Sequence, residues 1–91
     1  MRTYELVLVF RPSLSESDRK KLLETVKSWV KNAKVTKEED MGSKALAYKI
    51  KGELTGHYFN LHLEAESMDQ DVEKRLLENE SVLRHLLLRT K

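Results

Sequence analysis

Twice along this chain a short β-type apolar run gives way to helical periodicity and then to further β-type runs, and that order leaves few folds open. Thr3 to Phe10, TYELVLVF, is rich in β-branched and aromatic residues and is closed by Pro12 and Ser13, which predicts a buried central strand. Ser15 followed by Asp18 resembles a capping box with Asp in place of the usual Glu. Leu22, Val26, Trp29, Val30 and Ala33 then recur at helical spacing, so an amphipathic helix is expected from about Ser15 to Asn32.

Val35 to Ile50 reads as one long strand interrupted at Met41-Gly42, where a glycine inside a strand pattern marks a bulge or bend. Gly52 to Gly56 is expected to form a hairpin loop. After it HYFNLHLE alternates Phe59, Leu61 and Leu63 against Tyr58, Asn60, His62 and Glu64, the signature of a strand with one buried face. Ser67 and Asp69 can cap a short helix carrying Val72, Leu76 and Leu77, and Val82 to Arg89 forms a last, leucine-rich strand. The resulting order is β-α-β-β-α-β. Right-handed crossovers put both helices on one face of a four-stranded antiparallel sheet, the α+β ferredoxin-like arrangement, as one domain over residues 1–91. The first and third strands then lie in the middle, with the second and fourth at the edges.

Charged residues make up 35% of the chain, above the roughly 25% usual for globular domains, so the exterior is densely ionic. With 17 basic and 15 acidic residues the net charge is only +2, and affinity for a nucleic acid must come from local clusters. Absence of cysteine rules out disulfides, thiolate nucleophiles and iron–sulfur chemistry, and suits a reducing cytoplasm. Met1 is followed by no basic leader and apolar stretch, and no apolar run nears the roughly 18 residues that span a bilayer, so a soluble, non-secreted protein is expected.

No catalytic constellation stands out. His57 and His62 are an odd number of residues apart on one strand and point to opposite faces, His85 stands alone, and no metal site is expected from the three. Gly42, Gly52 and Gly56 open no helix and lack the context of a phosphate-cradling loop. On the first helix Arg19, Lys20, Lys21, Lys27 and Lys31 are interleaved with Glu16, Asp18 and Glu24, which reads as a solvated face laced with ion pairs. The basic residues at strand ends are more informative: Arg2, Lys44, Arg84, Arg89 and Lys91 can converge on one rim of the sheet and bind RNA phosphates. If Leu6, Leu8 and Phe10 face the helices, Val7 and Val9 face away, joined by either Leu86 and Leu88 or Leu83 and Leu87. Such an apolar patch fits a protein-binding surface. An RNA-recognition motif would share this fold, but Gly56-His57-Tyr58-Phe59 has the wrong aromatic spacing and the first strand offers no second aromatic on the open face.

The segment Glu39-Asp40-Met41-Gly42-Ser43-Lys44-Ala45-Leu46-Ala47-Tyr48-Lys49-Ile50 resembles the bacterial small-subunit ribosomal protein six family. Met1 to Leu6, Gly56-His57-Tyr58 and Val82 to Lys91 resemble the same family in the same order. The resemblance implies a structural ribosomal protein in the cytoplasm, without enzymatic activity, cofactor or small-molecule substrate. It also implies pairing with ribosomal protein eighteen on the central domain of the small-subunit ribosomal RNA. By position it makes Arg2, Arg84 and Arg89 RNA-facing, matches Lys44 to a usually basic place, and gives Tyr48 a role in the core or the partner surface. Lys49 stands where the family usually has proline, restoring a backbone donor on an edge strand. Many relatives also continue beyond the position of Lys91 into a charged tail. A dimeric ferredoxin-like module that buries its own sheet face and holds a small ligand or substrate is the competing reading.

Overall fold

The computed structural model describes residues 2–30, 33–67 and 70–89. Its elements run β1 (Arg2–Phe10), α1 (Glu16–Trp29), β2 (Lys34–Ile50), β3 (Glu53–Ala65), α2 (Gln70–Glu78) and β4 (Val82–Arg89). The four strands pair antiparallel in the order β2-β3-β1-β4, so the two central and two edge strands are those the sequence predicts. Tyr4, Leu6, Leu8 and Phe10 of β1 and Phe59, Leu61, Leu63 and Ala65 of β3 are buried in one apolar cluster with Leu23, Val26, Val30, Val72, Leu76 and Val82. The alternation of period two therefore turns one face of both central strands toward the helices.

Ser15 caps α1: its hydroxyl oxygen accepts from the Asp18 N–H at 3.1 Å, and Glu16 and Asp18 place negative charge in the first turn, where the helix dipole favours it. The helix ends at Trp29, three residues short of the expected Asn32, because Val30 leaves helical geometry at φ −96°, ψ 50°. Leu23 is more deeply buried than the expected Leu22, which only packs against the core's margin. In α2, Val72 and Leu76 sit four apart and are buried, whereas Leu77 is turned away and 69% exposed. Of the two proposed caps of α2, Asp69 lies outside the described residues.

β2 bends where expected. Gly42 has φ +78°, Met41 is the extra residue between the pairs Asp40–Phe59 and Gly42–Tyr58, and the Gly42 N–H donates to Asp40 Oδ1 at 2.9 Å. The hairpin differs from the expected Gly52–Gly56 loop. Lys51 (φ +48°) and Gly52 (φ +84°) make a two-residue turn of primed type between Ile50 and Glu53, a geometry whose twist matches that of the flanking strands. Gly56 thus lies within β3. It is required there for a different reason: a Cβ at this position would come 2.4 Å from Val9 Cγ1.

β4 settles the open parity by a bulge. Phe10 pairs with Val82 and Val9 with Arg84, leaving Leu83 as an extra residue. The bulge sends Val82 into the core, while Leu83 approaches Gly56 outside it. Beyond it His85 and Leu87 pair with Leu8 and Leu6 on the helix side, so Arg84, Leu86 and Leu88 fall on the open face with Val7 and Val9. Neither simple alternation describes this strand, because the parity changes once along its length.

Candidate binding face of the sheet

The face turned away from the helices is ordered by pairing. Successive rows across β2, β3, β1 and β4 bring together Lys37, His62, Glu5 and Leu88, then Glu39, Asn60, Val7 and Leu86, then Gly42, Tyr58, Val9 and Arg84. Lys44 follows opposite Gly56. Leu86 and Leu88 are 44% and 42% exposed, so the apolar strip along β4 meets solvent. Val9 shares the face but is only 3% exposed, because the backbone at Gly56 and the Leu83 side chain crowd over it. It is a floor rather than a surface.

The basic residues do not gather on one rim. Lys44 and Arg84 lie at one end of the open face, where the Lys44 ammonium sits 5.7 Å from the Tyr58 ring centroid and Arg84 donates to the Tyr48 hydroxyl at 3.4 Å. Arg89 pairs with Tyr4, five residues further along β4 and thus roughly 17 Å away at about 3.4 Å per residue, with the parity of the helix side. Arg2 starts β1 at that same far end and shares the parity. The expected single cluster is therefore two pairs, because an odd step along a strand changes both position and face. Lys91 lies outside the described residues. Tyr48 is 61% exposed and so takes no part in the core, contrary to one of its expected roles.

Charge is distributed unevenly over this sheet. At the end away from Arg84, His62 lies between Glu5 Oε1 (3.4 Å) and Glu39 Oε1 (2.9 Å). The His62 hydrogen bond and the Lys37 charge hold the Glu39 carboxyl below its ordinary pKa. On the helix side His57 meets Asp40 at 2.6 Å, and His85 ties β4 to Glu73 of α2 at 3.3 Å. Each histidine is thus engaged by carboxylates, and His57 and His62 lie on opposite faces. Among the described residues no group of three potential metal ligands converges. On α1, Lys20 pairs with Glu16 at 3.8 Å, and Lys27 pairs with Glu24 and with Glu38 of β2, which raises the Lys27 pKa through the Glu38 bond despite partial burial.

Arg11 is the residue that sequence reasoning missed. Its Nε donates to the Glu80 carbonyl at 2.6 Å, and its Nη1 reaches Glu53 Oε2 at 3.0 Å and the Lys51 carbonyl at 3.4 Å. Lys51 in turn donates to the Val82 carbonyl at 3.0 Å. These bonds join the end of β1, the β2–β3 hairpin and the start of β4, and they hold the hairpin where Tyr48 can reach Arg84. A single arginine beside a turn proline carries no local pattern that announces partners 40 and 69 residues away.

A split β-α-β sheet that keeps one half-apolar, charge-bordered face free of helices, with each histidine in contact with a carboxylate, defines a binding module of the ferredoxin-like class. Residues 3–89 match the family model described as ribosomal protein S6, and the chain belongs to that family. It is 32% identical over 93 residues to small ribosomal subunit protein bS6 of Thermoanaerobacter pseudethanolicus, covering 99% of this chain and 98% of that one. The bS6 of Orientia tsutsugamushi is 34% identical over 94 residues, covering 100% and 80%. The crystal structure of 30S ribosomal protein S6 from Thermotoga maritima superimposes with a TM-score of 0.87 at 27% identity, over 97% of this chain and 86% of that one. Membership makes this a ribosomal protein of the small subunit, associated with the ribosome. No helix among the described residues is long and apolar enough to cross a membrane.

Proposed function

We propose that this protein is a structural, non-enzymatic constituent that binds the central domain of the small-subunit ribosomal RNA together with ribosomal protein eighteen. In this reading the open sheet face receives the protein, and phosphates meet Lys44 with Arg84 at one end of that face and Arg2 with Arg89 at the other end of the sheet, on its helix side. The observation that carries it is the exposed strip of Leu86 and Leu88 beside Val7, with Arg84 at one end of it and without a carboxylate partner among the described residues. Apolar groups this exposed on an edge strand gain by being covered, and guanidinium groups left free of ion pairs can each donate two parallel hydrogen bonds to a phosphate.

The test is binding of central-domain RNA in the presence of protein eighteen across a range of salt. Log affinity should fall by roughly 0.7–0.9 per phosphate contact per decade of salt, and the double variant Arg84→Ala, Arg89→Ala should lose affinity and flatten that slope. Full affinity in the double variant would remove these arginines from the RNA interface.

A further inference from the structure

The strand order β2-β3-β1-β4 puts β2 and β4 at opposite edges of the sheet, yet Tyr48 of β2 lies beside Arg84 of β4, whose Nη1 donates to the Tyr48 hydroxyl at 3.4 Å. The contact is made past the end of β1. Pairing of β1 with β3 stops at Phe10 and His57, while β2 and β3 run on together from the pair of Lys44 with Gly56 to the turn at Lys51 and Gly52. A two-stranded ribbon on its own is marginally stable in water, so its position over β4 has to be fixed by contacts at this end of the sheet.

Arg11 and Lys51 supply them. The Arg11 N–H donates to the Ser81 carbonyl at 2.9 Å and its Nε to the Glu80 carbonyl at 2.6 Å, which ties the side chain to the entry of β4. Its Nη1 then reaches across to Glu53 Oε2 at 3.0 Å and to the Lys51 carbonyl at 3.4 Å. From the hairpin, Lys51 Nζ donates to the Val82 carbonyl at 3.0 Å. The Arg11 and Glu53 side chains are only 26% and 27% exposed, so salt screens this pair less than an open surface pair. Both cations are thus spent inside the protein, Arg11 on a carboxylate and three carbonyls and Lys51 on one carbonyl. Arg84 differs: it has no carboxylate partner among the described residues, and its guanidinium keeps donors to spare after the Tyr48 bond.

We infer that Arg11 is a positioning residue for the RNA contact of Arg84. With Lys51 it latches the β2–β3 hairpin against β4, and the Tyr48 hydroxyl presented in this way holds one arm of the Arg84 guanidinium and leaves the other donors for a phosphate. The inference rests on the reading that Arg84 meets RNA, and it adds residues that strengthen this contact without touching the RNA. A long side chain whose direction is fixed beforehand loses less freedom on binding, and that difference appears as affinity.

Binding of central-domain RNA by the full chain with protein eighteen present, measured at several salt concentrations, tests it, with circular dichroism to confirm that each variant is folded. Arg11→Ala and Tyr48→Phe should each weaken binding about three- to tenfold, the scale of ordering one long side chain. Both should keep the salt slope of the parent, because neither removes a phosphate contact, whereas Arg84→Ala should lower it by roughly 0.7–0.9. In an Arg84→Ala background, Arg11→Ala and Tyr48→Phe should change affinity by less than about twofold, since the group they act through is gone. An Arg11→Ala loss of the same size in both backgrounds would mark a merely structural residue and overturn the inference. A flattened slope in Arg11→Ala would make Arg11 itself a phosphate contact and overturn it too. Should Arg11→Ala not fold, Lys51→Met, which deletes only the Val82 bond, takes its place in the same comparison. If Arg84→Ala loses affinity while Arg11→Ala and Tyr48→Phe bind as the parent does, the positioning role falls and the reading of Arg84 stands. If Arg84→Ala keeps the parent's affinity and slope, that reading falls, and the inference with it.

Discussion

Replacing Gly56 by alanine tests the packing that shapes the open face. The added methyl would lie 2.4 Å from Val9 Cγ1, 3.4 Å from the Phe10 carbonyl oxygen and 3.5 Å from Leu83 Cδ1. Carbon atoms prefer about 3.5–4.0 Å, so the Val9 contact overlaps by roughly 1 Å. Val9 cannot turn aside easily, since it is β-branched, nearly fully buried and held in a central strand. Overpacking of this kind costs about 1–3 kcal/mol. Against it stands a gain of about 0.4–1 kcal/mol, because alanine restricts the unfolded chain more than glycine does. The expected net loss is about 1–2 kcal/mol, or a Tm lowered by roughly 5–15 °C in a domain of this size. Urea unfolding followed by circular dichroism measures it. Because the clash is with one side chain, Val9→Ala with Gly56→Ala should be less destabilised than the sum of the single changes by at least about 1 kcal/mol. A neutral Gly56→Ala, or single changes that add to within about 0.5 kcal/mol, would refute the argument that close approach demands glycine here.

Burial acts to raise the Asp40 pKa, but the Gly42 N–H, the His57 ring and the Arg19 charge outweigh it and leave the carboxyl below its ordinary value. Its contribution to stability is therefore present above the unfolded pKa of about 3.9 and is lost as pH falls through the lower folded value. The Asp40 side chain is 59% exposed, so that contribution is at most about 1 kcal/mol. Asp40→Asn should show a shallower decline of urea midpoint below about pH 4 than the parent, and parallel curves would sink the assignment. Arg11→Ala deletes the Glu53 ion pair and the bonds to the Lys51 and Glu80 carbonyls, with an expected cost of about 1–2 kcal/mol. Amide hydrogen exchange should quicken most at the hairpin, residues 51–54, relative to Leu6 and Leu8. Uniform change across the sheet would mean that Arg11 is no hairpin latch.

Much of the fold is written locally. Alternation in TYELVLVF and HYFNLHLE identifies the two central strands and the faces they bury, and the Ser15–Asp18 spacing locates the start of α1. Gly42 marks the bend of β2 because only an unencumbered residue adopts its positive φ without strain. The hairpin turn is not legible from the glycines for a related reason. Gly52 and Gly56 look alike in sequence, yet one serves a turn through its own φ and the other serves the approach of a neighbouring strand.

The kind and order of the elements, the inner faces of β1 and β3, and a scatter of basic residues near strand ends are legible along the chain alone. The tertiary structure alone decided the parity of β4, since one extra residue at Leu83 exchanges the faces of everything before it relative to everything after. It also divided the expected basic cluster into Lys44 with Arg84 and Arg2 with Arg89, and brought Arg11 against three remote segments. The physical reason is that periodicity is a property of neighbours along the chain, whereas register is set by pairing between residues far apart, where a slip of one position moves every side chain to the opposite face.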